Sequence, residues 1–191
     1  MAECAAVRTR IASYRSTMIQ PDTKDWTWVL ERPCADCGFD AATVERNHIG
    51  ELLRTNAAAW APLLCRAGAA VRPNDDTWSA LEYGCHVRDV FRIFDARLQL
   101  MVDEDGAAFA NWDQDATAVE NNYRAQDPAV VLADLTSAGA ALADRFESLA
   151  ESDWRRTGIR SDGAHFTVES FAKYLVHDPT HHVWDVERGY A

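Results

Sequence analysis

The residues best suited to chemistry stand near the C-terminus. Tyr174-Leu175-Val176-His177-Asp178-Pro179-Thr180-His181-His182-Val183-Trp184-Asp185 gathers three of the chain's six histidines. His177 and His181 are four residues apart, so on a helix they share a face about one turn from each other. Two imidazoles at that spacing offer a metal two nitrogen ligands from one rigid element. A third candidate is His86, in Trp78-Ser79-Ala80-Leu81-Glu82-Tyr83-Gly84-Cys85-His86-Val87, where it stands among apolar residues. His86, His177 and His181 together would leave a fourth coordination position open, which separates a catalytic zinc-type site from a closed structural one. The same residues also fit a hydrogen-bonded core histidine and a surface cluster, and spacing alone leaves both readings open.

The supporting residues follow from helical spacing. Asp185 is four residues after His181 and could accept from a ligand imidazole, fixing its tautomer. Glu82 is four residues before His86, but it also completes a capping box with Ser79. Cys85 points about 100° away from His86 on a helix and reads as core. Cys34-Ala35-Asp36-Cys37 lies in a loop, with no second Cys-x-x-Cys or nearby His-x-x-x-His to complete four zinc ligands. It reads as two loop thiols, a redox dithiol or a loop disulfide. His48 reads as core or partner-facing and His165 as a loop residue.

These residues need helices to position them. Asp40 can cap a helix from Ala41 to about Arg66, with apolar residues from Val44 to Leu64 at helical period. Thr77 or Ser79 can cap a second helix, Glu82 making a capping box with Ser79, and this helix reaches about Val102, ended by Asp103-Glu104-Asp105-Gly106. A long connection with a short helix from about Ala116 follows. Asp127-Pro128 opens a third long helix, with Val131, Leu135, Leu142 and Phe146 on its buried face. A connector spans Trp154 to Gly163. A fourth long helix begins near Thr167 and carries the histidine segment to Arg188. Pro179 removes a backbone donor and crowds the Leu175 carbonyl, so a kink or a π-bulge is expected there. Residues 1–20 show no strong period, Pro21–Asp25 reads as a turn, and Trp26–Leu30 has extended character. Strand signals are nearly absent. The fold class is all-α, an antiparallel four-helix bundle with one long connection between helices 2 and 3. Residues 1–40 form an N-terminal extension with the Cys-x-x-Cys loop, and 41–191 the four-helix domain.

Composition narrows the function classes. The net charge of -11 opposes a polyanionic partner, and no basic stripe for nucleic acid is visible. No apolar run is long enough for a membrane span, and the first residues lack a signal pattern. The five cysteines, odd in number, argue against a disulfide framework. A cytoplasmic protein is expected, with no nucleic-acid or membrane partner.

Trp78-Ser79, His86 and His177-Asp178-Pro179-Thr180-His181, in that order on those helices, resemble the DinB-like (DinB/YfiT) four-helix-bundle superfamily. In that family one ligand comes from the second helix and two from a His-x-x-x-His on the last. The resemblance covers roughly residues 42–189, and the segment Phe109 to Asp115 is similar to the family's long connection. It implies a divalent metal ion, zinc or nickel, held by His86, His177 and His181. A related branch, the mycothiol-dependent isomerases, resembles Glu-x-x-x-His followed by Arg-Trp-Asp. Asp178 and His182-Val183-Trp184-Asp185 match that branch in register, so Asp178 and His182 are the alternative metal pair. The resemblance further implies a small-molecule substrate, a low-molecular-weight thiol such as mycothiol as cofactor, S-transfer or a related hydrolysis as reaction, and a homodimer. The rival expectation is a non-catalytic, stress-associated metal-binding protein.

Overall fold

A computed structural model describes residues 25–189. The expectations for residues 1–20 and most of the turn at Pro21–Asp25 lie outside the described residues. The chain folds as four long helices, as its periodicity predicts. They are α1 (Ile49–Leu64), α2 (Ala80–Asp103), α4 (Pro128–Glu147) and α5 (Val168–Gly189), with a short α3 (Gln114–Glu120) between α2 and α4.

The helix starts follow from local chemistry. Ser79 Oγ accepts from the Glu82 N–H while Glu82 accepts from the Ser79 N–H, so the capping box of α2 is complete. Asp127 caps α4 ahead of Pro128. Thr167 and Ser170 exchange reciprocal side-chain bonds at the start of α5. The first helix departs from expectation. Asp40 caps only a single 3₁₀ turn, Ala41–Thr43. Val44 and Glu45 are then extended, a second 3₁₀ turn covers Arg46–His48, and α1 starts at Ile49. The consecutive β-branched residues Thr43 and Val44 disfavour continuing the helix there. Trp26–Leu30 is a 3₁₀ turn capped by Asp25 rather than an extended segment.

Side-chain pairs across the bundle give the helix directions. Arg54 of α1 bonds to Asp144 and Glu147 of α4, and Ala57 faces Gly139, so these helices run antiparallel. Arg92 of α2 meets Asp134 of α4 and Asp95 meets Arg145, so α2 and α4 run parallel. Phe94 of α2 stacks on Phe171 of α5 while His86 lies by Asp178, so α2 and α5 are antiparallel. The parallel pair is possible because residues 104–127 give the chain length to return to the same end of the bundle. Gly139 allows the close approach, since a Cβ there would stand 3.0 Å from Ala57 Cβ and from Phe91 Cε2.

A small sheet was not legible in the sequence. β1 (Ala107–Phe109) pairs parallel with β2 (Thr157–Arg160), which pairs antiparallel with β3 (His165–Thr167). Gly163, at φ +93, makes the turn between β2 and β3. The sheet ties the two long connections together, and Asp105 joins in by accepting from the Thr157 N–H and hydroxyl. Strands of three or four residues are too short to show a period.

The N-terminal segment belongs to the same packed body. Val29, Cys34 and Phe39 are buried with the helix core. Among the described residues, no helix is long and apolar enough to cross a membrane.

Candidate functional site

α5 carries two ligand pairs offset by one residue. His177 and His181 form one i,i+4 pair, and Asp178 and His182 the other, about 100° further round the helix. α5 is α-helical throughout, with no π segment at Pro179. Proline leaves the Leu175 carbonyl without its usual helical donor, and the Thr180 hydroxyl donates to the neighbouring Val176 carbonyl at 2.7 Å. The offset therefore persists along an unbroken helix, and the two pairs face different partners.

The first group joins α5 to α2. Ligand atoms of His86, Asp178 and His182 all lie within 4.8 Å of one another. His86 Nε2 is 3.4 Å from Asp178 Oδ1, and His182 Nε2 is 3.7 Å from the same oxygen. His86 is fully buried, and neither its ring nitrogens nor Asp178 Oδ1 has a hydrogen-bond partner. Leaving buried polar atoms unsatisfied costs about 1–3 kcal/mol each. Three donor atoms converging without a bond among them are what an ion between them would satisfy. Trp112 stacks on the His86 ring, and Trp78 and Tyr83 flank the group against His86 and His182.

The second group joins α5 to the N-terminal segment. Ligand atoms of Cys34, Cys37, His177 and His181 also lie within 4.8 Å of one another. Cys34 Sγ is 3.6 Å from His181 Nδ1, across 147 positions of sequence. His177 Nε2 is buried without a hydrogen-bond partner. Trp26 and Phe39 pack against the His177 ring, and Trp26 and Trp184 against His181. Cys34 and Cys37 are free thiols.

The expected trio is thus distributed over two groups. His86 stands with Asp178 and His182, and His177 stands with His181 beside the Cys-x-x-Cys loop. The cysteines lacked visible partners in the sequence because their neighbours in space lie some 140 residues away. The shared spacing, Cys-x-x-Cys with His-x-x-x-His, was the signal that could have joined them.

Asp185 lies between the groups. Its Oδ2 is 3.1 Å from His182 Nδ1 and its Oδ1 is 3.8 Å from His181 Nε2. It therefore orients His182 directly, leaving Nε2 toward Asp178, while facing the far nitrogen of His181. Glu82 has no part in either group. It is buried in its capping box, where Arg72 holds it through Nε and Nη2, and this overcomes burial to keep its carboxyl below the usual range. Cys85 Sγ points at the Tyr123 carbonyl, and burial pushes its thiol up to about 12. His48 is exposed, not core, and His165 is exposed on β3.

The electrostatics of the histidines and Asp178 favour ligand-competent protonation states. Burial pushes the pKa values of His86, His177 and His181 down, His177 to about 4, so these rings are neutral at neutral pH. Burial opposes ionisation of Asp178, but His182 and His86 outweigh it and hold the carboxyl at about 2. Burial raises the Cys37 thiol to about 11, against the Phe39 N–H that favours its thiolate.

The sequence profile of the DinB superfamily matches residues 48–186. Among solved structures, the chain resembles YfiT from Bacillus subtilis, described as a probable metal-dependent hydrolase with an unusual four-helix bundle topology. The TM-score is 0.69 at 17% sequence identity, covering 75% of this chain and 85% of that chain. At that identity the likeness speaks to the fold. No curated protein matches.

Proposed function

We propose, from the premise that this chain belongs to the DinB superfamily, that it is a metal-dependent enzyme whose reactive ion is held by His86, Asp178 and His182. The observation that carries this reading is the buried, unbonded approach of His86 Nε2 and Asp178 Oδ1 at 3.4 Å. Two imidazoles and one carboxylate suit a divalent ion such as zinc or nickel. His177 and His181 belong to the second group in this reading.

A divalent ion held there would supply Lewis-acid polarisation and lower the pKa of a thiol or water. The chain's own residues do the rest. Asp185 accepts from His182 Nδ1 and fixes the tautomer that presents Nε2. Trp112 and Trp78 cover the His86 ring and keep water from it. Tyr83 lies against the His182 ring and helps hold it in place.

The reaction we favour is transfer of a low-molecular-weight thiol of the mycothiol type to an electrophilic small molecule. The match of Asp178 and His182-Val183-Trp184-Asp185 to the thiol-dependent branch supports it. Metal-assisted hydrolysis is the second reading, favoured by the likeness to YfiT, described as a probable metal-dependent hydrolase. We place the enzyme in the cytoplasm as a homodimer. A non-catalytic, stress-associated metal-binding role is the rival.

The test is elemental analysis of the native protein, followed by thiol-transfer and ester-hydrolysis assays with the added divalent metal. Turnover that needs the metal and disappears in His86→Ala, with the helical spectrum retained, is expected. Metal-replete protein with no turnover in either assay would favour the non-catalytic role.

A further inference from the structure

The geometry points to a second, structural metal site, in which Cys34, Cys37, His177 and His181 hold one zinc ion and clip the N-terminal segment to α5. It is distinct from the site at His86.

Four donors of the right type converge. A tetrahedral zinc ion with Zn–S of about 2.3 Å and Zn–N of about 2.0–2.1 Å places sulfur and nitrogen ligands about 3.6 Å apart. Cys34 Sγ and His181 Nδ1 are 3.6 Å apart, and all four donors lie within 4.8 Å of one another. Two thiolates and two imidazoles in a tetrahedral arrangement select zinc over the harder divalent ions.

A second observation is independent of that spacing. His177 is 3% exposed, and its Nε2 has no hydrogen-bond partner. A buried imidazole nitrogen needs a partner, and a ring nitrogen of His177 lies within 4.8 Å of both cysteine sulfurs. The loop is shaped to present those sulfurs. The Cys34 N–H bonds to the Phe39 carbonyl at 2.8 Å, and the Gly38 N–H bonds back to the Cys34 carbonyl at 3.0 Å. Gly38 makes this turn at φ +73, a conformation a side chain would strain.

The surroundings are those of a closed site. Four protein ligands leave no position for water or substrate, and Trp26, Phe39 and Trp184 pack round the histidine rings. The clip also has a consequence for the other group. By holding the His177 and His181 face against the N-terminal segment, it sets the rotation of α5 that turns Asp178 and His182 toward His86. Pro179, which removes a backbone bond in the same turn, makes that external restraint useful.

The test is cobalt substitution of the full-length, reduced protein. Thiolate-bound tetrahedral Co²⁺ shows intense visible bands and a sulfur-to-metal charge-transfer band. A site of nitrogen and oxygen ligands shows no such charge transfer. We expect about one thiolate-bound ion per chain in the wild type and in His86→Ala, with the band lost in Cys34→Ser/Cys37→Ser. Should the double variant not fold, mercurial titration of the wild type serves instead, and blocking the two thiols should release about one zinc ion to a chromogenic chelator. Absence of the charge-transfer band in the reduced wild type would overturn the assignment. So would its loss in His86→Ala, its survival without the cysteines, or mercurial titration that releases no zinc.

Discussion

Asp178 Oδ1 stands 3.4 Å from His86 Nε2, both atoms buried and neither hydrogen-bonded. A protonated histidine would satisfy the carboxylate, but burial drives the His86 pKa down. The pair is therefore a carboxylate facing a neutral imidazole without a hydrogen bond between them, an approach that a cation between them would satisfy. His86→Ala should abolish metal-dependent turnover, a loss greater than the about 10–100-fold attached to outer partners of a metal site. Steady-state kinetics on metal-replete protein check this, with circular dichroism as the control for folding.

Asp185→Asn keeps the size of the side chain but removes the charge that orients His182. Metal affinity should fall by about 10–100-fold while the fold is retained. Competition against a chromophoric chelator measures it. An unchanged affinity would mean that His182 is oriented by packing alone.

Acid should destabilise the metal-free protein in a defined window. His177 has its pKa lowered from 6.5 to about 4 in the folded chain. Its contribution is fully present above pH 6.5. It is lost as pH falls toward 4, because the unfolded chain takes up the proton that the folded one refuses. The slope is at most about 1.4 kcal/mol per pH unit for each such group. Urea denaturation midpoints of metal-free wild type should drop between pH 6.5 and 4, and His177→Gln should flatten that drop.

Arg72 and Glu82 form a buried ion pair at the start of α2, with side chains 12% and 3% exposed. Arg72→Ala leaves Glu82 desolvated with Ser79 and the more distant Arg124, 3.9 Å away, as its remaining support. Breaking a buried pair this way should cost about 3 kcal/mol. Chemical denaturation at neutral pH checks the size. The effect should shrink as pH is lowered through the carboxylate range, since protonating Glu82 removes the uncompensated charge.

Much of the architecture was legible one helix at a time. The capping box at Ser79 and Glu82, the cap and proline at Asp127-Pro128, and the 3.6-residue period depend on neighbours a turn away, which a linear reading can see. The short strands were not legible, because three residues carry no period and Ala107–Phe109 finds its partner only through a pairing 51 positions distant. The break before Ile49 was missed because an apolar period continued through residues that the backbone leaves extended.

The candidate sites divide the same way. Side-chain spacing along the chain put His177, Asp178, His181 and His182 on one helix at i,i+4 spacings, and a histidine on α2. The sequence also carries a Cys-x-x-Cys loop. Which pair meets which partner depends on how the helices pack in three dimensions. A rotation of one residue, about 100°, exchanges the two pairs. That rotation is set by packing of Trp26, Phe39 and Cys34 on one side of α5 and of Tyr83, His86 and Trp112 on the other, which are contacts between segments far apart in the chain.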